Sequence, residues 1–150
     1  MDMSAEHLKL ENQICFSIYA TAREITKLYK PLLEKLNVTY PQYLVLLILW
    51  EEDSITVKEM GRRLYLDSGT LTPMLKRMET AGFITRERSK HDERSVIVSL
   101  TDKGKASEED ANSIPHQLLD QLDMEESELK QFKASLVKTL DRVYQINEVK

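Results

Sequence analysis

The sequence has few of the residues that build disulfide scaffolds or metal sites. It contains one cysteine, Cys15, so no disulfide can form within the chain. Its three histidines, His7, His91 and His116, are widely separated, which argues against a metal-ligand cluster. We find no phosphate-cradling glycine loop and no hydrolase-type nucleophile motif. The sequence therefore predicts no metal and no cofactor.

Long apolar runs and targeting signals are also missing. The first residues, MDMSAEHLKLENQ, lack the basic start and the apolar stretch of a secretory signal, and no run reaches transmembrane length. We therefore expect a cytoplasmic protein without a membrane partner. The 150 residues include only four glycines and four prolines, which favours one helix-rich domain over residues 1–150.

The net charge of -4 is unevenly distributed along the chain. Between Lys58 and Arg94 there are nine lysines and arginines against six acidic residues, so this quarter is basic and the remainder is acidic. Six of the eight arginines lie in it. Such clustering is typical of a module that contacts phosphates.

Apolar spacing predicts two helices in the first third of the chain. The first carries Cys15 on its apolar stripe and should kink or break at Pro31. The second should begin at Thr39 or Tyr40 and continue through the apolar YLVLLILW of residues 43–50. This second helix is expected to lie at the centre of the core.

Capping residues define the elements that follow. Thr56 should open a short helix, and Asp67 should cap a longer one that Gly82 ends. Two β-prone runs, 83–88 and 95–100, then predict a hairpin with a long polar tip. In the last third, Thr101 is expected to cap a helix, Pro115 to interrupt or bend the chain, and Asp123 to cap the final helix. The predicted fold class is mainly α (α+β), a winged helix-turn-helix.

The predicted helix 68–81 has one face without any acid. By 100-degree spacing that face, opposite the core stripe, carries Gly69, Thr72, Pro73, Lys76, Arg77 and Thr80. Small hydroxyl residues and cations suit the major groove of DNA, although an ordinary solvated face would have the same composition.

The predicted hairpin adds four more cations close together: Arg86, Arg88, Lys90 and Arg94. Arg94 suits a narrow minor groove. The alternative is an ion-paired loop, because Asp92 and Glu93 precede Arg94 directly. Helix and hairpin together favour DNA binding.

Two segments resemble the MarR family of bacterial repressors: LDSGTLTPMLKRME (66–79) and DERSVIVSLT (92–101). The wing of that family contains an Asp, an Arg two positions later and a Leu-Thr pair at its end. LENQICFSIYA (10–20) and TYPQYLVLLILWE (39–51) resemble its organic hydroperoxide-sensing OhrR group. The resemblance implies a homodimer that binds an inverted-repeat operator in double-stranded DNA. It implies a winged helix-turn-helix at about 55–101 and dimerisation helices at about 7–36 and 102–148.

The resemblance also assigns roles to individual residues. It places Ser68, Thr70, Thr72, Lys76 and Arg77 in the DNA-reading helix, and Asp92 and Arg94 in the wing. From the residues alone, a cysteine on an apolar stripe is more often a small buried hydrophobe. The resemblance instead makes Cys15 redox-sensing, with Tyr29 and Tyr40 bonding it across the dimer and Tyr19 walling the same pocket.

The implied function is therefore a repressor, not an enzyme, that an organic hydroperoxide releases from DNA by oxidising Cys15. With no second cysteine, the sulfenic acid must recruit a small-molecule thiol, form a sulfenamide or over-oxidise. Two alternatives stay open. One is a MarR-type repressor released by a noncovalent phenolic or drug-like ligand. The other is a cysteine peroxidase. The sequence argues against it, because no activating cation lies near Cys15 at helical spacing.

Overall fold

The computed structural model describes residues 3–149, and in order along the chain they form eight α-helices and three short strands. The helices are α1 (Met3–His7), α2 (Ile14–Leu33), α3 (Tyr40–Glu51), α4 (Val57–Leu64), α5 (Ser68–Thr80), α6 (Asp102–Ala111), α7 (Ile114–Leu122) and α8 (Glu126–Glu148). The strands are β1 (Ile55–Thr56), β2 (Ile84–Arg88) and β3 (Val96–Leu100). Within the described range, no helix is long and apolar enough to cross a membrane.

Contacts divide the chain into two compact units, the first ending at Ile114 and the second beginning at Pro115. The first unit contains α1 to α6 and the sheet. The second contains α8 and all of α7 after its first residue.

Short polar side chains cap four of the helices, at Thr56, Asp67 and Thr101 as predicted and also at Thr39, because each satisfies a backbone N–H group that the helix leaves free. Thr39 accepts from the Gln42 N–H group, Thr56 from that of Glu59, and Thr101 from that of Gly104. Asp67 accepts from the Thr70 N–H group at 2.7 Å and begins α5.

Gly82 ends α5 as predicted. Its φ of 90° lies in the left-handed region, which a glycine adopts without a β-carbon penalty. The N–H groups of Gly82 and Phe83 then bond back to the carbonyl oxygens of Glu79 and Met78, each at 3.0 Å. This turn directs the chain into β2.

The sheet is antiparallel in the order β1-β3-β2. The hairpin of β2 and β3 was predicted, and Ile84 pairs with Leu100 in it. Strand β1 was not predicted, because two residues are too short to show an alternating pattern. It forms because Ile55 pairs with Val98, which is fully buried.

The structure corrects the limits of three predicted helices. Helix α2 continues through Pro31 to Leu33, and the chain turns at Asn37, which has a φ of 56°. The interruption between α6 and α7 lies at residues 112–113, and Pro115 occupies the first turn of α7, where its missing N–H group is not needed. Asp123 has a φ of 50° and does not cap α8, whose N-cap is Glu125 without a side-chain bond.

The main core joins α3, α4, α5 and the sheet, and it includes Leu46, Met60, Leu71, Leu75 and Val98. A second cluster packs the end of α2 and the turn after it against α3, the last residue of α6 and the first of α7: Leu33, Leu36, Tyr43, Ala111 and Ile114.

Gly61 permits the close approach of the turn after α4. A β-carbon at this position would stand 2.5 Å from the carbonyl oxygen of Leu66, which is backbone and cannot move cheaply. We therefore expect Gly61→Ala to lower the free energy of unfolding by about 1–3 kcal/mol, as overpacking typically does. Urea unfolding measures this. Gly69→Ala, where the added carbon meets only the Asp67 side chain, is the matched control and should lose much less.

Candidate DNA-binding surface and redox site

Helix α5 presents the predicted reading face outwards. Its apolar side, Leu71, Met74, Leu75 and Met78, is buried in the core. The opposite side is exposed at Ser68, Thr70, Lys76 and Arg77, while Thr72 is half-buried. Because α4 and the capped turn at Asp67 hold the start of α5, these side chains occupy a fixed surface.

Arg86 has a different setting from the other predicted DNA-contacting cations. Its side chain is 21% exposed, and its Nη2 atom lies 3.2 Å from Oε1 of Glu79. The other carboxylate oxygen of Glu79 accepts the Arg86 backbone N–H group at 3.1 Å. The pair therefore fastens β2 to the last turn of α5.

The tip of the hairpin is shaped by Asp92. Its Oδ1 atom accepts the backbone N–H group of Arg94 at 3.0 Å, and Arg88 donates to the Glu93 carbonyl oxygen at 2.8 Å. Asp92 thus contacts the Arg94 backbone, and Lys90, Asp92 and Arg94 are exposed. These hydrogen bonds form a turn at the tip of the hairpin that leaves the cationic side chain of Arg94 exposed.

Cys15 is the second residue of α2 and is exposed in the chain. Ile14, Phe16, Ile18 and Tyr19 around it are also exposed apolar side chains. The first turn of a helix favours an anion, because its backbone N–H groups lack intrahelical partners. The cysteine is therefore on an uncovered apolar face rather than in the core of its own chain.

Three tyrosines form a cluster at the other end of α2. The ring centroids of Tyr29 and Tyr40 are 4.5 Å apart, and that of Tyr43 lies 5.8 Å from Tyr29 and 6.3 Å from Tyr40. Sequence reasoning missed Tyr43 because it stands inside the apolar run 43–50. Its place three residues after Tyr40, on the same helix face, was the available signal.

The structure does not bring Cys15 and this cluster together within one chain. Tyr29 lies fourteen positions after Cys15 in α2, which corresponds to about 21 Å along the helix axis. Tyr19, one turn from Cys15, is exposed and has the guanidinium carbon of Arg23 5.2 Å from its ring centroid.

Burial and the neighbouring tyrosines keep the Tyr29 hydroxyl protonated. Burial first, then Tyr40 and Tyr43, raises the pKa of Tyr29 from 10.0 to about 12. Burial also raises the pKa of Tyr40 and of Tyr43, the latter with a contribution from Tyr40. At neutral pH these groups are therefore neutral hydrogen-bond donors.

A pH dependence follows from the raised pKa of Tyr29. The unfolded chain loses this proton near pH 10.0 and the folded chain near pH 12. The protonated hydroxyl therefore stabilises the fold fully below pH 10, and this stabilisation is lost as the pH rises from about 10 to about 12. We expect the free energy of unfolding to fall more steeply above pH 10 in the native protein than in Tyr29→Phe. Urea titrations from pH 9 upwards test this, and equal slopes would contradict it.

Together these features define a class of protein. Helices α4 and α5 form a helix-turn-helix, and β2 and β3 form the wing beside it, which is the architecture of winged-helix DNA-binding regulators. In residues 3–149 no group of His, Cys, Asp or Glu side chains is placed to hold a metal ion.

Comparison with known proteins gives the family. Residues 27–111 match the family described as "Transcriptional regulator SarA/Rot". An organic hydroperoxide resistance transcriptional regulator of Bacillus subtilis is 56% identical over 98% of this chain and 100% of its own length. The chain therefore belongs to the MarR and SarA/Rot family of transcriptional regulators and is a homologue of a hydroperoxide resistance regulator.

Solved structures agree with this assignment. Reduced AbfR bound to DNA, a protein of Staphylococcus epidermidis, has a TM-score of 0.81 at 42% identity over 94% of this chain and 99% of that one. Overoxidised AbfR bound to DNA has a TM-score of 0.77 at 40% identity, covering 94% and 98%. A mutant of MarR from E. coli has a TM-score of 0.66 at 27% identity, covering 85% and 96%. The matched proteins are regulators, so the chain is a regulator and not a peroxidase enzyme.

Proposed function

We propose that this regulator is a homodimeric repressor that binds an inverted-repeat operator while Cys15 is reduced and leaves it once Cys15 is modified. The trigger is an organic hydroperoxide followed by a small thiol. The observation that carries the proposal is the exposed position of Cys15, in the first turn of α2 on an uncovered apolar face. The name of the Bacillus subtilis relative, which states organic hydroperoxide resistance, supports the same substrate class.

A second copy of the chain would cover the apolar faces of α2 and α8. Contiguous exposed apolar side chains are uncommon on monomers and mark interaction surfaces. On α8 they include Phe132, Leu136, Leu140 and Val143. The distance between Cys15 and the tyrosine cluster is a second argument, because only another subunit could supply Tyr29 and Tyr40 to the Cys15 pocket. We assign dimerisation to about residues 7–36 and 102–148.

Two-fold symmetry then places one reading helix in each of two major grooves, which accounts for an inverted-repeat operator. We assign DNA contacts to the exposed face of α5 and to the wing: Ser68, Thr70, Thr72, Lys76, Arg77, Arg88, Lys90, Asp92 and Arg94. Arg86 we assign to holding β2 against α5. The protein would act in the cytoplasm, where chromosomal DNA and small thiols meet.

The chemistry requires the thiolate of Cys15, which is the nucleophile. Its sulfur attacks the hydroperoxide, an S–O bond forms as the O–O bond breaks, and the departing alkoxide takes a proton to become an alcohol. Sulfur is oxidised by two electrons and the peroxide is reduced by two. The sulfenic acid then condenses with a small thiol, giving a mixed disulfide and water. Neutral tyrosine hydroxyls beside the sulfur stabilise the thiolate by donating hydrogen bonds.

The mixed disulfide is the form to which we assign release from DNA. The mixed disulfide places a bulky group on a helix face that is buried in the dimer. Overoxidation adds only oxygen atoms to the sulfur, and these are small. The overoxidised form of AbfR is bound to DNA in its solved structure, which supports this distinction.

The test is operator binding by the purified protein on a labelled promoter fragment from upstream of its own gene. We expect binding by the reduced protein, and a loss of about 5- to 150-fold in affinity after one equivalent of cumene hydroperoxide plus cysteine, the usual range of allosteric coupling. Cys15→Ser should bind and stay bound. Release that persists in Cys15→Ser would overturn the proposal. Indifference of the native protein would point to a noncovalent phenolic or drug-like ligand.

A further inference from the structure

The indole of Trp50, the only tryptophan of the chain, joins two parts of the first unit. Its ring meets that of Tyr43 edge on, with centroids 6.4 Å apart, so it extends the tyrosine cluster. Its Nε1 atom donates to the carbonyl oxygen of Gly104, in the first turn of α6, at 2.9 Å. The cluster is thus continuous with the start of α6.

The start of α6 is packed tightly against the chain that ends the reading helix. Gly104 lies so close to Phe83 that a β-carbon on it would overlap the Phe83 carbonyl oxygen. The backbone N–H group of Thr101 donates to that same oxygen at 3.0 Å, and the Thr101 hydroxyl donates to the carbonyl oxygen of Gly82.

Lys103 completes this contact. Its ammonium donates to the carbonyl oxygen of Ala81 at 2.8 Å and lies 4.5 Å from the centroid of the Phe83 ring. Three successive carbonyl groups after α5, at residues 81–83, are therefore bound by residues 101–103. Because residues 81–83 follow directly on α5 and their own N–H groups bond back to its last turn, these contacts connect the end of α5 to the start of α6.

We propose that the hydrogen bond from Trp50 to Gly104 transmits a change at the tyrosine cluster to the reading helix, which makes Trp50 a positioning residue. The inference rests on the proposed function for its trigger, a group attached to Cys15 of the partner subunit. That group displaces the Tyr29 and Tyr40 rings, and Tyr43 moves with them because the interior is close-packed. The indole then shifts Gly104, and the contacts around residues 81–83 shift with it.

Trp50→Phe tests the link, because it keeps an aromatic ring against Tyr43 and removes the N–H donor. Operator affinity is measured before and after treatment with cumene hydroperoxide plus cysteine. We expect reduced Trp50→Phe to bind within about 3-fold of the native protein, and to lose less than about 3-fold on treatment where the native protein loses about 5- to 150-fold. A loss equal to the native one would overturn the proposal.

Lys35→Ala is the matched control. It removes another bond between the region before α3 and the chain after α6, that of Lys35 to Ser113 at 3.3 Å, without touching Trp50. This variant should respond to treatment as the native protein does, and an equally blunted response in it would overturn a specific role for Trp50.

Amide hydrogen exchange of the reduced proteins provides a readout that does not depend on the redox chemistry. In Trp50→Phe, the N–H groups of Phe83 and Thr101 should exchange about 5-fold faster than in the native protein, while those of β2 keep their protection. Unchanged exchange at Phe83 and Thr101 would overturn the link from Trp50 to the reading helix. If the native protein did not respond to hydroperoxide, that result would count against the proposed function alone, and the exchange measurement would still test the link.

Discussion

Leu140→Arg is expected to convert the protein from a dimer to a monomer and to lower its operator affinity at least about 100-fold. Leu140 is 44% exposed in the chain and lies in the middle of the apolar stripe of α8. Burying an unpaired cation in a water-free dimer interface costs several kcal/mol of dimerisation free energy. A monomer can also bind only one half-site of the operator, so the DNA contacts of the second subunit are lost. Sedimentation and operator binding on the same samples measure both effects.

The matched control is Gln131→Arg, which adds the same charge to the opposite face of α8 by 100-degree spacing. It should remain dimeric and bind DNA normally. If Leu140→Arg stayed dimeric at micromolar concentration, the assignment of the dimer interface to α8 would be wrong.

Arg94→Ala is expected to weaken operator binding by about 1–3 kcal/mol, roughly 5- to 150-fold, because the turn built by Asp92 projects this cation from the wing. If Arg94 reads a minor groove, the loss should be largest at the native base sequence of the flanking site. Affinity on the operator and on a fragment with altered flanks measures this.

Arg142→Ala provides the comparison for Arg94, since it removes an exposed arginine from α8 instead. It should leave the affinity unchanged within the error of the binding assay. Equal losses in the two variants would show that general charge, rather than the position of Arg94, is responsible.

Local signals in the sequence were sufficient for much of the fold. Asp67 and Gly82 predicted the limits of α5 correctly, because a capping carboxylate and a glycine that ends a helix both act on neighbouring backbone groups. The start of α3 was predicted at Thr39 or Tyr40, and the structure adds that the side chains of Thr39 and Gln42 cap this helix reciprocally. Asp123 failed as a cap because its backbone adopts the left-handed conformation, which the sequence around it did not indicate.

Tertiary contacts explain what the sequence could not reveal. Strand β1 depends on Val98, more than forty residues away in the chain. Arg86 was grouped with exposed cations because its ion pair with Glu79 forms only once β2 lies beside α5. The bond from Trp50 to Gly104 likewise joins residues 54 positions apart. The candidate redox site is split within one chain, because Cys15 lies in the first turn of α2 and Tyr29 lies near its end, beside Tyr40 of α3.

The most direct test of the account is a mixed dimer in which one subunit carries Cys15→Ser and the other carries Tyr29→Phe and Tyr40→Phe. The only cysteine then faces native tyrosines of the other subunit, while its own chain has none of the pair. The measurement is the rate at which one equivalent of cumene hydroperoxide oxidises that cysteine, compared with the native dimer and with the Tyr29→Phe, Tyr40→Phe dimer. We predict a rate near the native one in the mixed dimer and a slow rate in the doubly substituted dimer. A mixed dimer as slow as the doubly substituted one would contradict a Cys15 site completed by the second subunit.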